Sequence, residues 1–255
     1  VVAAAIGSMA VSLVASYRLY EVRRFELGVG VGYKVEEFES FGVSSEERGA
    51  RTNEGLEIIR RLWEGETLTF EGKYYTVTKA KLTPEPIQQP RPPIWVGGFT
   101  PPALRRAAKY GDGYIGVGPL KEAYERYVTA LKKIGKPTTD IRLAGGYFWL
   151  IPSEDPEKTW NEAAEHVRYQ INAYAKWSEM AGMPLFPHMP DLVALRESGM
   201  FQVVDVDTCI QMIRDYALET PLTHYYSWTL PPGLPASWIQ PHLELFTSKV
   251  IPAFR

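Results

Sequence analysis

The feature that most constrains this chain is the regular exchange of strand-like for helix-like patterning. Short apolar runs read as strands: RFELGVGV at 24–31, PPIWVGG at 92–98, DGYIGVG at 112–118, RLAGGYFWLI at 142–151 and LTHYYSW at 222–228. Helical periodicity lies between them. Across 120–135, Leu120, Ala123, Tyr124, Tyr127, Val128, Leu131 and Ile134 recur at three-and-four spacing and define one apolar face. From Pro156 onward, Trp160, Ala163, Ala164, Val167, Ile171, Tyr174 and Ala175 do the same. Such alternation predicts βα units and a parallel sheet, as a doubly wound sheet or a (β/α)₈ barrel.

Two stretches interrupt the exchange. TLTFEGKYYTV at 67–77 alternates apolar and polar residues about Glu71-Gly72 and predicts a surface hairpin. The segment 178–205, rich in Met, Pro and Phe, is expected to be an insertion or lid before the last strand. A chain of 255 residues, 45% apolar, can bury one large core, and a single domain over 1–255 is expected.

Composition removes several function classes. With 28 Lys and Arg against 30 Asp and Glu, and no basic run, the chain offers no field for a nucleic acid. The single cysteine, Cys209, rules out an intrachain disulfide and a Cys-based metal site; it fits a reducing cytoplasm and is expected in the core. His166, His188, His224 and His242 show no HxxxH or HExxH spacing, so no metal site is expected. No GxSxG or Walker sequence occurs. The apolar residues 1–16 lack a basic leader and fall short of the roughly 18 that a membrane span requires, so they read as a buried helix.

Three stretches carry candidate chemistry. In an extended RFELGVGVGY, Gly28, Gly30 and Gly32 share one face and Val29, Val31 and Tyr33 the other. A glycine face leaves space for a flat ligand, or it thins the strand for a bulky neighbour. IWVGGFTPPALRRAA reads as strand, Gly97-Gly98, a Thr100 N-cap and Pro101 at the first helical position. A helix start reached through glycines offers free N–H groups to an anion, although an ordinary βα turn uses the same residues. Aromatics cluster near strand ends: Tyr147, Phe148 and Trp149, then His224, Tyr225, Tyr226 and Trp228. They suit a pocket wall or a core.

Taken in order, RFELGVGVGYKVEEFESFGVSSEERGARTNEGLEIIRRLW, FEGKYYTVTKAKLTPEPIQQPRPPIWVGG and PPALRRAAKYGDGYI, with TPLTHYYSWTLPPG less sharply, resemble the luciferase-like monooxygenases, flavin-dependent oxidoreductases of the bacterial luciferase type. The resemblance implies a (β/α)₈ TIM barrel that holds FMN, or the deazaflavin F420, at the C-terminal ends of its strands. It places Gly30, Val31, Gly32 and Tyr33, with Gly97, Gly98, Phe99 and Thr100, against the cofactor. Tyr147, Trp149, His224 and Trp228 become candidates for the substrate pocket, and His224 for an acid or base.

The implied activity is oxygenation of a small organic substrate by O₂, with reduced FMN from a separate flavin reductase, in a cytoplasmic homodimer without metal, membrane or nucleic acid. The alternatives are F420-dependent hydride transfer on the same scaffold and a non-catalytic barrel. The resemblance makes RFELGVGVGY the fourth barrel strand, yet only 23 residues precede it, and five strands are countable where eight are needed. The first strands of the barrel are therefore expected to be missing.

Overall fold

The structure is a computed structural model that describes residues 25–254. The apolar run 1–16 and Arg24 lie outside those residues. Two compact units are present: residues 25–115 with Glu122–Arg142, and Gly116–Lys121 with Leu143 onward.

In the first unit, strands β1 (Leu27–Val29), β4 (Ile94–Gly97) and β5 (Gly113–Ile115) pair in parallel, β4 between the others. β1 is shorter than RFELGVGV suggests. Gly32 lies beyond it with φ of 76°, so it does not share the face of Gly28 and Gly30 as expected. β2 (Leu68–Glu71) and β3 (Thr76–Ala80) form the expected hairpin, antiparallel and bulged between Leu68 and Phe70. The hairpin covers Ile58 and Leu62 of helix α2 (Arg48–Trp63), which follows the short α1 (Val35–Ser40). Helix α3 (Pro101–Tyr110) links β4 to β5, burying Ala103, Leu104, Ala107 and Ala108. Helix α4 (Lys121–Lys133) turns Tyr127, Ala130 and Leu131 inward and leaves Ile134, beyond its end, 51% exposed.

In the second unit the run 142–151 is not one strand. It divides into β6 (Arg142–Gly145) and β7 (Trp149–Pro152). The break falls at Gly146, where a Cβ would stand 2.1 Å from the Tyr226 carbonyl oxygen; main chain meets main chain there and only glycine fits. β6 pairs in parallel with the two-residue β9 (His224–Tyr225). β7 pairs in parallel with β8 (Phe201–Val204).

The expected insertion 178–205 therefore contributes β8 and helix α6 (Leu192–Ser198), and its Met189, Leu195 and Phe201 are core. They pack with Trp160, Ala163, Ala164, Val167 and Ile171 of α5 (Pro156–Met180), the apolar stripe read from the sequence. Asp155, Asp191 and Asp205 cap α5, α6 and α7 (Val206–Glu219), each carboxylate accepting an N–H of the first turn. Cys209 is fully buried in a second cluster with Leu150, Ile213 and Val250, the last beyond α8 (Ala236–Leu245).

Candidate functional site

β1 explains itself by alternation. Leu27 and Val29 are buried, whereas Gly28 and Gly30 are exposed, with nothing among the described residues within 4 Å of the position a Cβ would take. Gly28 pairs with Trp95, and Trp95 with Gly113, so the three share one face. The indole of Trp95 lies over Gly113, where a Cβ would come within 2.4 Å of the ring, and its Nε1–H donates to Glu26 Oε2 at 2.9 Å. The glycine that admits a bulky neighbour is thus Gly113, a role the sequence reading did not assign. Among the described residues, no protein group comes within 4 Å of the Cβ position at Gly28 or Gly30.

One step along the register from Val29 and Val96, Gly30 adjoins Gly97, whose Cβ would sit 3.7 Å from the Val29 carbonyl oxygen. Two positions without side chains thus stand together at the C-terminal ends of β1 and β4. Val31, Gly32, Tyr33, Gly97, Gly98, Phe99 and Thr100 are all half-buried around them. Gly98, at φ of 122°, brings the turn so close to α3 that a Cβ would lie 2.8 Å from the Ala103 Cβ.

The helix start differs from expectation. Thr100 is the N-cap, and Leu104 N–H donates to its carbonyl at 3.1 Å, but its side chain makes no capping bond. Pro101 and Pro102 occupy the first two helical positions, so two of the four amides that an α-helix normally leaves unpaired do not exist. The expected row of helix N–H groups shrinks to those of Thr100 and Ala103, beside the Thr100 hydroxyl, which does not cap the helix. Arg106, two turns from the cap, is buried and adds positive charge to α3. Its Nε donates to Asn53 Oδ1 at 2.7 Å and its Nη2 to the Gly49 carbonyl at 3.0 Å, and burial pushes its pKa down.

The expected pocket residues of the second unit are not gathered on one surface. Trp149 is fully buried in the α5 core cluster. Trp228 is half-buried, edge-on to Trp149 at 4.6 Å between ring centroids and stacked on Tyr174 at 5.4 Å. Tyr147 belongs to the Cys209 cluster, where its ring meets Tyr216 and its hydroxyl donates to the Met212 carbonyl at 3.4 Å; burial raises its pKa. His224 is exposed on β9 with Nδ1 3.0 Å from Thr223 Oγ1. Tyr174, missed by the sequence reading as a partner of Trp228, was visible only as a position on the apolar stripe of a helix.

Among the described residues no group of three or more His, Cys, Asp or Glu is placed to hold a metal, and no helix is long and apolar enough to cross a membrane.

The profile of the family described as luciferase-like monooxygenase matches residues 24–198. The F420-dependent glucose-6-phosphate dehydrogenase of Nakamurella multipartita is 39% identical over 95 residues, 36% of this chain. The chain aligns with 27% of that enzyme's length and 38% of that of uncharacterised mycobacterial relatives. Among solved structures, a monooxygenase from Streptomyces bottropensis superposes with a TM-score of 0.75 at 20% identity, covering 98% of this chain and 76% of that one. The oxygenating constituent of 3,6-diketocamphane monooxygenase from Pseudomonas putida, in complex with FMN, gives 0.66 at 22% identity over 90% and 71%.

Proposed function

The chain belongs to the luciferase-like monooxygenase family, an oxidoreductase family of TIM-barrel type, and from that premise we propose that it is an FMN-dependent monooxygenase acting on a small organic substrate with O₂. The observation that carries this reading is the open glycine end of β1 beside the Gly97–Thr100 turn. A tricyclic ring system needs a wall without Cβ atoms, and Gly28 and Gly30 supply one with room in front of it.

In this reading Gly30, Val31, Gly32 and Tyr33 flank the isoalloxazine, while Gly97, Gly98 and Phe99 carry the chain past it. With two prolines at the helix start, the phosphate is held by the Thr100 hydroxyl and the Ala103 N–H, under the positive end of α3. The Trp95–Glu26 hydrogen bond fixes the indole against Gly113 and keeps it out of the space before Gly28. Bound and reduced, FMN supplies the electrons that activate O₂. The residues around it orient the ring and exclude water. A separate flavin reductase and a homodimeric state belong to the same reading, with His224 as the acid–base group to test.

The second reading is F420-dependent hydride transfer, favoured by the identity to the Nakamurella dehydrogenase. Titrating the protein with FMN and with F420, then measuring oxygen uptake with the reduced cofactor, separates the two. Tight FMN binding with oxygen consumption is expected. F420 binding without oxygen consumption overturns the monooxygenase reading, and binding of neither cofactor favours a non-catalytic barrel.

A further inference from the structure

At the N-terminal ends of β4 and β5, away from Gly97 and Thr100, the first unit contains a cleft of about 480 Å³. That volume lies within the roughly 300–1,000 Å³ of small-molecule sites. Its lining is divided. Tyr127, Leu131, Ile141 and three prolines supply apolar surface, while Arg91, Asp112, Lys136, Asp140 and Arg142 supply charge.

The charges do not all balance. Arg91 is spent: its two Nη atoms meet the two oxygens of Asp112 and its Nε donates to Glu64 Oε1 at 3.2 Å. Asp112 also accepts the Ile94 N–H at 2.8 Å, which fixes the pair to the start of β4. Lys136 makes no ion pair with a carboxylate among the described residues. Its ammonium donates to the carbonyls of Lys109 and Gly111, at 3.2 and 3.5 Å, and so uses two of its three N–H bonds on the end of α3. Burial and the nearby Arg60 and Arg91 cations push its pKa down against the opposing pull of Asp112. Arg142 is exposed and makes no ion pair among the described residues. Lys136 and Arg142 against Asp140 leave one positive charge in a lining that also carries apolar side chains.

We propose that this cleft is a second ligand site, distinct from the glycine end of β1, and that it binds a small monocarboxylate with an apolar body. The carboxylate meets Lys136, whose two carbonyl bonds hold the ammonium in place beforehand, and Arg142 at the rim. The apolar body lies on Tyr127, Leu131 and Ile141. Pre-ordering of Lys136 lowers the entropy lost on binding.

The test is an amide-shift titration of the ¹⁵N-labelled chain with benzoate, benzamide and inorganic phosphate. Benzoate is expected to move Gly111, Asp112, Thr139 and Ile141 saturably. Benzamide lacks the charge and phosphate the apolar body, and each is expected to bind at least about tenfold more weakly, the scale of one charged hydrogen bond. Lys136→Gln and Arg142→Gln should each weaken benzoate by about tenfold. Arg142 is exposed, so its variant tests the site even where the lysine variant does not fold. Unmoved amides, benzamide or phosphate binding as well as benzoate, an unchanged affinity in Arg142→Gln, or shifts at Gly97–Thr100 instead would each overturn the proposal.

Discussion

Arg106 Nε donates to Asn53 Oδ1 at 2.7 Å, joining the helix that starts at the candidate cofactor turn to the helix packed beside it. The guanidinium is buried, and no carboxylate is hydrogen-bonded to it among the described residues. Asn53→Ala leaves one of its N–H groups without an acceptor. The expected loss is about 1–3 kcal/mol, read as a lower urea midpoint at unchanged m-value. Asn53→Asp restores an acceptor and adds the missing negative charge, so it should be at least as stable as Asn53→Ala at neutral pH. An Asn53→Ala midpoint equal to that of the unaltered chain would show that the bond contributes nothing.

Gly30 separates the two readings of the glycine face. Among the described residues, a Cβ placed there meets no protein atom within 4 Å, and the φ of this residue is not in the left-handed region. Gly30→Leu should therefore change stability by no more than about 0.5 kcal/mol, as ordinary surface substitutions do. The same leucine fills the space assigned to the flavin ring, and FMN affinity should fall by at least about tenfold, or about 1.4 kcal/mol. Fluorescence titration measures the second and thermal unfolding the first. Unaltered FMN affinity would remove Gly30 from the cofactor site.

How much was legible in the sequence depended on whether the signal was local. The α5 stripe from Trp160 to Ala175 and the hairpin about Glu71-Gly72 were read correctly, because side-chain periodicity within one element fixes both. The run RLAGGYFWLI was misread as one strand because its break at Gly146 is caused by Tyr226, 80 positions away in a loop that no local pattern announces. The surroundings of the strand-end aromatics were illegible for the same reason: strand-end position does not say whether a ring faces the Cys209 cluster, as Tyr147 does, or the α5 cluster, as Trp149 does. Pro102 was legible but went unread, and together with Pro101 it halves the amides available at the helix start.

The same geometry predicts unequal costs at adjacent glycines. At Gly145 an added Cβ would meet the Leu120 Cδ1 at 2.3 Å, the end of a side chain that can rotate. At Gly146 it would meet a main-chain carbonyl at 2.1 Å, which cannot move without shifting Tyr226. Gly146→Ala should therefore cost more than Gly145→Ala, with the former at or above the roughly 1–3 kcal/mol typical of overpacking. Denaturant unfolding of the two variants compares them directly. Equal midpoints would mean that the main chain yields as easily as the leucine.

Cys209 gives the protein a predictable weakness to alkali. Burial pushes its thiol up to about 12, whereas an unfolded cysteine ionises near about 8.5. Between those values the unfolded chain loses its proton first, so the stability contributed by the neutral thiol is complete below about pH 8.5 and drains as pH rises toward the native value. The slope approaches about 1.4 kcal/mol per pH unit for one group. Tyr127 and Tyr226, both pushed up to about 12 by burial, add the same sign above their ordinary value of 10.0. Cys209→Ala should remove the decline between roughly pH 9 and 10 and leave the steeper one beyond it, where the tyrosines titrate. Urea midpoints across that range test it, because the slopes differ even if the substitution lowers stability uniformly. Parallel curves for the two proteins would mean that the thiol ionises alike in the folded and unfolded chains.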